Sequence, residues 1–222
     1  MFQKDGPTFV ELMKQALSST ERGYDMIAPK FDYTPFRTPD EVLAIMAKEI
    51  GEPLSIDAAL DVCCGTGAAM RHLRPLCRER VVGIDFSSGM LEKARERVAR
   101  ERMDNVRLLQ MDAADLKFAD HTFDIVYAPY LISVVPDPVK VAREMRRVCR
   151  PGGRIVFLNH FLSPNPALSR LERAISPMTI HIGFRSDLDL PAFLTQAELT
   201  PVSIQKVNIP RIWSLVTCVK DN

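Results

Sequence analysis

Residues 60–70 read "LDVCCGTGAAM", an apolar run that stops at an aspartate and continues into two glycines one residue apart. A glycine-rich turn between a strand and a helix lets a ligand approach the backbone closely, because side chains would collide there and glycine tolerates unusual dihedrals. Such a turn also directs the free N–H groups of a helix start at the ligand. Gly65 and Gly67 alone are a weak signal, since a plain tight turn explains them equally well.

A second acidic residue strengthens the ligand interpretation. Asp85 follows the next predicted strand, about 18 residues beyond Gly67, where a carboxylate can accept hydrogen bonds from both ribose hydroxyls of an adenosine. A dinucleotide fingerprint would place a third glycine where this chain has Met70. The sequence therefore favours a nucleoside without a pyrophosphate and argues against a dehydrogenase.

Length and composition limit the class of protein. The chain has 222 residues, of which 46% are hydrophobic, and this predicts a single α/β domain over residues 1–222. Its 29 Lys and Arg balance 28 Asp and Glu, so no global field favours nucleic acid as a partner. No apolar run has the length of a signal peptide core or of a membrane span, and we expect a cytoplasmic protein.

Cysteine usage agrees with that compartment. The five cysteines include no CxxC pair, and no histidine lies at zinc-ligand spacing from them. The sequence therefore predicts neither a disulfide scaffold nor a metal site. Adjacent Cys63 and Cys64 are interpreted as small buried thiols rather than as a redox or metal-binding pair.

Strand and helix patterns alternate along the chain, which predicts a parallel sheet built from βαβ units. Thr38, Glu41 and Pro39 form the pattern of a capping box with proline at the first helical position, and a helix is expected to follow. Five strands are predicted in "AALDVCC", "RVVGIDF", "NVRLLQMD", "FDIVYAPY" and "GGRIVFLNHF". Two more strands, near residues 201–207 and 211–219, are expected to form an antiparallel hairpin at the sheet edge.

Two segments lie outside this alternation. Residues 1–37 are rich in aromatic residues and proline, and we expect them to fold back as a lid. Residues 163–186 are predicted to be an insertion on the substrate side of the sheet, with one short helix near residues 167–175 that Pro177 helps to end.

Together these motifs resemble the class I S-adenosylmethionine-dependent methyltransferases, over roughly residues 24–161 and more loosely to the C-terminus. The matching segments, in family order, are "LDVCCGTG", "VVGIDFSSGMLEKAR", "LLQMDAADLKFADHTFDIVYAPY" and "RVCRPGGRIV". The resemblance implies a Rossmann-like α/β fold with helices on both faces of a seven-stranded, mostly parallel sheet, of order 3-2-1-4-5-7-6 with strand 7 antiparallel. It also implies S-adenosyl-L-methionine as cofactor and S-adenosyl-L-homocysteine as product.

The same resemblance implies roles for residues in the first two motifs. The backbone from Asp61 through Cys63 and Gly65 to Gly67 would surround the methionine half of the cofactor, and Asp85 would bind the ribose. Cys63 and Cys64 replace the more usual glycine or alanine of the family, which leaves the contact made by Cys63 open.

Further cofactor contacts are implied by the later motifs. Phe86 and Met90 would lie beside the adenine, and Asp112 and Ala113 would bind its edge, since a carboxylate accepts from the exocyclic amine while a backbone N–H donates to the ring. Ala128 would line the sulfonium. Two structural alternatives stay open: Asp112 as a turn cap and Phe86 as a core residue.

Methyl transfer mainly requires alignment of the reactants and exclusion of water. An amine acceptor must also arrive unprotonated, so a nearby side chain has to accept its proton. The candidates for this part of the site are Tyr24, Tyr130 and His160. Packing of the lid is the alternative for Tyr24, and capping of a helix is the alternative for His160.

The acceptor is suggested by a finer resemblance, in "YLISVVPDPVKVAREMRRVCRPGGRIVFLNHF", to bacterial phosphatidylethanolamine N-methyltransferases and the related ubiquinone and menaquinone methyltransferases. It implies a lipid amine at the inner face of a membrane. Leu168, Leu171 and Ile175 lie at helical spacing with Arg170 and Arg173 alongside, as in a helix that contacts an anionic membrane peripherally. A cap helix, a soluble or quinone-like acceptor, and a nonenzymatic S-adenosylmethionine sensor are the alternatives.

Overall fold

The computed structural model describes residues 6–8, 20–34, 38–53, 55–163, 165–181, 185–207 and 213–221. The strands are β1 (Ile56–Val62), β2 (Cys77–Asp85), β3 (Val106–Gln110), β4 (Phe123–Pro129), β5 (Cys149–His160), β6 (Thr200–Val207) and β7 (Trp213–Val219). The helices are α1 (Thr20–Ile27), α2 (Asp40–Ile50), α3 (Met70–Leu73), α4 (Ser88–Arg100), α5 (Pro138–Val148), α6 (Pro166–His181) and α7 (Leu190–Gln196), with 3₁₀ turns at Ala28–Tyr33 and Arg74–Leu76.

The described strands form one sheet of order β3-β2-β1-β4-β5-β7-β6. β1 to β5 run parallel, and β7 is antiparallel to both β5 and β6. This arrangement confirms the predicted fold, including the terminal hairpin. The strand order reverses between β1 and β4, and ligands of open parallel sheets bind at the carboxyl ends of the strands at such a point.

Helices cover both faces of the sheet. Neighbouring residues of β1 belong to different core clusters: Leu60 packs with Met145 of α5, while Ala59 packs with Met46 of α2 and Leu91 of α4. This follows from the two-residue period of a strand, which sends successive side chains to opposite faces. Because both faces are buried, β1 and β4 carry nearly continuous apolar sequence rather than an alternating pattern.

The predicted capping box of α2 is wrong. Pro39, in an extended conformation with φ −58° and ψ 142°, is the N-cap itself, and no side chain caps the helix. Its carbonyl accepts from the backbone N–H groups of Val42 and Leu43. Thr38 therefore lies one residue too early for its hydroxyl to reach the first turn.

The helix of the insertion is longer than expected. Asn165 starts it by accepting from the backbone N–H groups of Ala167 and Leu168, and the helix then continues through Pro177 to His181. Glu172 and Ser176 are buried on its inner side. We attribute the continuation past the proline to this packing, which offsets the single backbone hydrogen bond that a proline removes.

Candidate active site

The glycine-rich turn after β1 has an unusual backbone. Cys63, Gly65 and Gly67 have φ values of 65°, 54° and 76°, so three of five successive residues adopt the left-handed region. A Cβ atom at Gly67 would lie 3.3 Å from the Cβ of Ala94 on α4, whereas one at Gly65 would meet no atom within 4 Å. Gly67 therefore serves helix packing, and Gly65 leaves space open at the carboxyl edge of the sheet.

Met70 occupies the position where a dinucleotide fingerprint would have glycine, and it is fully buried. Its Cε lies over Gly83 of β2, where any Cβ would clash with it. The close approach of this segment to the sheet is thus obtained with a glycine on the strand and a methionine on the helix. This is the reverse of the arrangement in a pyrophosphate-binding turn.

Asp85 at the end of β2 connects the turn to the next helix. One carboxylate oxygen accepts from the backbone N–H of Gly65 at 2.8 Å, and the other accepts from that of Ser87 at 2.9 Å. Burial raises the pKa of Asp85, although these two N–H groups favour its charged form. The carboxylate therefore lies beside the glycine-rich turn, as expected for a ribose ligand, and the ribose contact itself stays a prediction.

The carboxyl group of Asp61, near the end of β1, is fully buried. Neither of its oxygens has a hydrogen-bond partner among the residues that the structure describes. Burial, and to a lesser degree the charge of Asp85, raises the pKa of Asp61 to about 8. A buried polar group needs a partner to offset its lost hydration. A positively charged amino group of a ligand would supply one.

The described part of the predicted lid covers this half of the site; residues 1–5, 9–19 and 35–37 lie outside the described residues. Asp25 of α1 accepts from the Ser87 hydroxyl at 2.5 Å and from the backbone N–H of Gly89 at 2.9 Å. Asp32 accepts from the Thr66 hydroxyl at 2.6 Å and pairs with Arg97 of α4. Two carboxylates thus hold the N-terminal segment onto the glycine-rich turn and the start of α4.

Tyr24 belongs to α1 of this N-terminal segment and lies near Cys63 and Asp85. Burial first, and then the negative charges that these two residues carry when ionised, raise the pKa of Tyr24 well above its usual range. Its hydroxyl therefore stays protonated at neutral pH. Tyr24 therefore lies beside the glycine-rich turn with a hydroxyl that can donate a hydrogen bond but not accept a proton.

The residues predicted to contact adenine lie in different environments. Phe86 is half exposed, so the alternative of a core residue is wrong. Asp112 accepts from the backbone N–H of Ala114 at 2.8 Å and is thus the turn cap that the second alternative described. Ala113 is half-buried next to it. The adenine contacts of all three residues stay predictions.

Two other residues that are predicted to contact the cofactor are buried. Met90 is buried against Ile27 and Ala28 of the N-terminal segment, in a small apolar cluster of its own. Ala128 is fully buried in β4, within the core beneath α5. Any contact of Ala128 with a ligand would involve its backbone, and the roles of both residues stay predictions.

The predicted acceptor side lies at the carboxyl ends of β4 and β5. Tyr130 leaves β4 with φ 58°, and its backbone N–H donates to the Leu158 carbonyl at 2.7 Å. Its ring is nearly perpendicular to that of Trp213 on β7, with centroids 4.5 Å apart. The His160 ring lies on the same tryptophan, at 6.2 Å and 80°. The structure therefore brings together two of the three predicted catalytic residues, Tyr130 and His160.

Glu172 of α6 completes this cluster. One oxygen lies 3.2 Å from Nε2 of His160, and the other accepts from the backbone N–H of Ser163 at 2.8 Å. The charge of Glu172 also reaches Lys206, whose pKa is lowered by burial and raised in part by this carboxylate. Sequence reasoning missed Glu172 and Trp213. For Glu172 one signal existed, since it is the only acidic residue of the insertion.

Three further findings concern metal binding, membrane-spanning helices and the exposed face of α6. Within the described ranges, no group of three or more His, Cys, Asp or Glu is arranged to hold a metal ion. No helix in those ranges is long and apolar enough to cross a membrane. Leu168 and Leu171 are exposed on α6, as are Arg170 and Arg173, while the side chains of Ile175 and His181 lie outside the described part.

Comparisons with known proteins agree with this geometry. The family profile described as "Methyltransferase domain" matches residues 60–157. The phosphatidylethanolamine N-methyltransferase of Cereibacter sphaeroides is 42% identical over 152 residues, which cover 65% of this chain and 73% of that protein. The demethylmenaquinone methyltransferase of Shouchella clausii is 40% identical over 116 residues, which cover 51% of this chain and 49% of that protein.

Solved structures agree in fold. A SAM-dependent methyltransferase from Aquifex aeolicus superposes with a TM-score of 0.63 at 21% identity, covering 88% of this chain and 98% of that one. The Cereibacter relative is similar over nearly three quarters of its own length, whereas the match to the Shouchella relative spans about half of that protein. The chain belongs to the S-adenosylmethionine-dependent methyltransferases and is an enzyme of that family with S-adenosyl-L-methionine as its methyl donor.

Proposed function

We propose that this enzyme methylates the amine nitrogen of a phospholipid such as phosphatidylethanolamine. The observation that carries the proposal is the position of Glu172 against His160, beside the perpendicular rings of Tyr130 and Trp213. A carboxylate attracts an ammonium group directly, and the faces of tyrosine and tryptophan attract it through their quadrupoles. A neutral quinone-like ring would gain little from such a set of groups.

The cofactor side fits a sulfonium nucleoside. The open space at Gly65 would admit the methionine half, and its ammonium would pair with the carboxyl group of Asp61, which has no partner among the residues that the structure describes. Asp85 would accept from the ribose hydroxyls, with Asp112 and Ala113 at the adenine edge. When bound, the cofactor supplies a methyl carbon on a positively charged sulfur, which leaves as the neutral thioether of S-adenosyl-L-homocysteine. Tyr24 and the ties of Asp25 would keep water out.

The acceptor amine is an ammonium at neutral pH, so it must lose a proton before its nitrogen can attack. We assign the acceptance of that proton to His160, which lies at the end of β5 with Glu172 beside it. Tyr24 is not suited to this task because its raised pKa keeps it protonated. We assign Tyr24 to closing the cofactor side and Tyr130 to lining the acceptor entrance.

A membrane surface is the expected source of the acceptor. The helix that contributes Glu172 also exposes Leu168 and Leu171, with Arg170 and Arg173 exposed beside them. Two leucines insert weakly by themselves, and arginines add attraction to anionic headgroups. We therefore expect peripheral contact with an anionic bilayer.

The test is methyl incorporation from labelled S-adenosylmethionine into vesicles that contain phosphatidylethanolamine and an anionic lipid. Label in the headgroup amine is the expected result. A demethylated naphthoquinol in the same vesicles is the competing acceptor, because the Shouchella relative is named for that chemistry. Label in the quinol alone would replace the proposal with ring methylation.

His160→Asn should lower turnover of the amine by roughly 100-fold, the usual contribution of a general base, while cofactor affinity stays the same. His121→Asn is the matched control. His121 has φ 59°, which asparagine tolerates, and lies near Lys220 at the opposite end of the sheet. Equal turnover of the two variants would remove His160 from the chemistry.

A further inference from the structure

The buried side chain of Asn159 connects the end of β5 to residues 130–133, the segment that follows β4 (the post-β4 segment). We infer that Asn159 is a positioning residue, which holds the post-β4 segment in the conformation that brings the Tyr130 ring against Trp213 and so shapes the acceptor side. The inference rests on the proposed function for the role of Tyr130, whereas the geometry on which it depends is the same for any acceptor.

An asparagine is unusual in the apolar run "IVFLNH" of β5, because this residue type is depleted in strands and is mostly exposed in folded proteins. The Asn159 side chain is fully buried, so both ends of its amide need partners. The backbone N–H of Ile132 donates to Oδ1 at 3.3 Å, and Nδ2 donates to the Ser133 hydroxyl oxygen at 2.8 Å. A backbone N–H can only donate, so it must face the amide oxygen, and this fixes the orientation of the amide.

These two hydrogen bonds continue the pairing of β4 with β5 beyond the end of the ladder. The last backbone pair in register joins Pro129 to Leu158, and the Tyr130 N–H then donates to the Leu158 carbonyl. Tyr130 has φ 58°, in the left-handed region that is unfavourable for a residue with a Cβ. Such a backbone persists only where surrounding contacts fix it. The Asn159 amide fixes the residues that follow directly, and so it holds the turn that sets the Tyr130 ring.

The post-β4 segment also holds the chain that returns from the insertion. The Ser133 carbonyl accepts from the backbone N–H of Arg185 at 2.9 Å. The hydroxyl of the next residue, Ser186, donates to the backbone carbonyl of Glu172 on α6 at 2.9 Å. Loss of the Asn159 amide should therefore loosen the post-β4 segment first and α6 indirectly. The predicted cofactor side, at the ends of β1 and β2, lies outside this series of hydrogen bonds.

The first test needs no acceptor. Trp213 is the only tryptophan of the chain, and the Tyr130 ring lies on it with centroids 4.5 Å apart, so its fluorescence reports where that ring lies. Asn159→Ala should shift the emission to longer wavelength and increase quenching by acrylamide, while thermal unfolding stays cooperative. Unchanged emission and quenching in this variant would overturn the inference.

A second variant keeps the test decisive if Asn159→Ala folds poorly. Ser133→Ala removes the oxygen that accepts from Nδ2 and keeps the Ile132 contact, so it should give a smaller shift of the same sign. Thr217→Val is the matched control, because Thr217 is also buried, on β7, and its hydroxyl has no hydrogen-bond partner among the described residues. The control should keep the native Trp213 signal. An equal shift in Thr217→Val would also overturn the inference, since any buried change would then move Trp213.

The second test separates positioning from stability. Displacement of a substrate-positioning group by about 1 Å can cost roughly 100-fold, so kcat/KM for the acceptor should fall by about 10-fold to 100-fold in Asn159→Ala, through both KM and kcat. Affinity for S-adenosylhomocysteine should stay within about two-fold of the native value, because distant sites act independently. The Asn159→Ala/Ser133→Ala double variant should lose less than the product of the two single losses, since both remove the same hydrogen bond. Native kcat/KM, or an equal loss of cofactor affinity, would leave Asn159 with a role in stability alone.

The proposed function and the positioning role fail separately. If the native enzyme methylates the quinol and not the amine, the proposed function falls, while the Trp213 signal still decides whether Asn159 holds the post-β4 segment, and the quinol becomes the acceptor of the second test. If the enzyme methylates the amine and Asn159→Ala is native in both tests, the proposed function stands and the positioning role falls.

Discussion

The carboxyl edge of the sheet has two halves that are built in opposite ways. The proposed cofactor half, at the ends of β1 and β2, depends on contacts between consecutive βα units, such as that of Gly65 with Asp85, 20 residues further along the chain. The acceptor half, at the ends of β4 and β5, joins Tyr130, His160, Glu172 and Trp213 from four separate elements. The first half is therefore visible as a motif, whereas the second exists only in the folded chain.

The two segments that pack over these halves, the N-terminal segment and α6, are alike in one respect. Asp25 holds the N-terminal segment by accepting from the backbone N–H of Gly89, and Glu172 holds α6 by accepting from that of Ser163. Each cover thus depends on carboxylates that also contact a residue of the site beneath. Single substitutions should open one half and leave the other intact.

The largest effect is expected at Gly65. Leucine there would fill the open space beside the glycine-rich turn, and we expect cofactor affinity to fall by roughly 100-fold or more, about 3 kcal/mol. Gly152→Leu is the matched control, because Gly152 has φ 72°, a Cβ there meets nothing within 4 Å, and it lies outside the site. Both variants should lose about 1–2 kcal/mol of stability from the left-handed backbone.

Calorimetry with S-adenosylhomocysteine measures the cofactor affinity of each variant, and thermal unfolding measures the stability that each variant loses through backbone strain. Equal cofactor affinity in the two glycine variants would mean that the crevice at Gly65 is not where the cofactor binds. The contrast between the two halves would then lose its basis.

An intermediate effect is expected for Asp61→Asn, which should lower cofactor affinity but gain stability relative to the native enzyme as the pH rises. An aspartate of an unfolded chain ionises near pH 4, whereas burial raises the pKa of Asp61 in the fold to about 8. Between these values only the unfolded chain releases the proton, so the native free energy of unfolding falls as pH rises through this window. The asparagine of Asp61→Asn does not ionise, so the free energy of unfolding of this variant should not fall for this reason.

The melting temperature of Asp61→Asn relative to the native enzyme should therefore rise from pH 5 to pH 8 in the absence of cofactor. Its cofactor affinity at pH 8 should be about ten-fold lower, because an amide carries no charge to pair with the ammonium. A difference in melting temperature that is constant with pH would show that the carboxyl is not buried without a partner.

The smallest effect is expected for Asp32→Ala, which releases one tie of the N-terminal cover. The Asp32 side chain is 42% exposed, so its pair with Arg97 contributes no more than about 1 kcal/mol. We expect the cofactor to dissociate roughly three-fold to five-fold faster, with little change in stability. Glu96→Ala, which removes the pair with Lys93 on the same helix α4, is the control.

Stopped-flow release of a fluorescent cofactor analogue distinguishes the two variants. Faster release only in Asp32→Ala would support a cover that opens for exchange. Identical rates in both would leave the N-terminal segment as packing alone.

Errors of the sequence interpretation have local causes. The Thr38 capping box failed because Pro39 took the cap position itself, which shifted the helix start by one residue. The helix of the insertion passed Pro177 because buried Glu172 and Ser176 hold α6 to the core. Propensity rules consider only residues that are neighbours in sequence. The start of α2 differed from the prediction by one residue, and the end of α6 was set by tertiary packing.

Residue patterns alone predicted the parallel βαβ units, the glycine-rich turn and Asp85 at the end of β2, because these depend on short-range backbone geometry and on βαβ connections, which local patterns encode. The strand order was implied by the resemblance to a known family. The folded chain was needed to show that Asp25 and Asp32 tie the N-terminal segment down, that Asp61 has no described partner, and that Glu172 faces His160. These contacts depend on how segments far apart in sequence pack together, and the local hydrophobic periodicity of the chain does not reveal such packing.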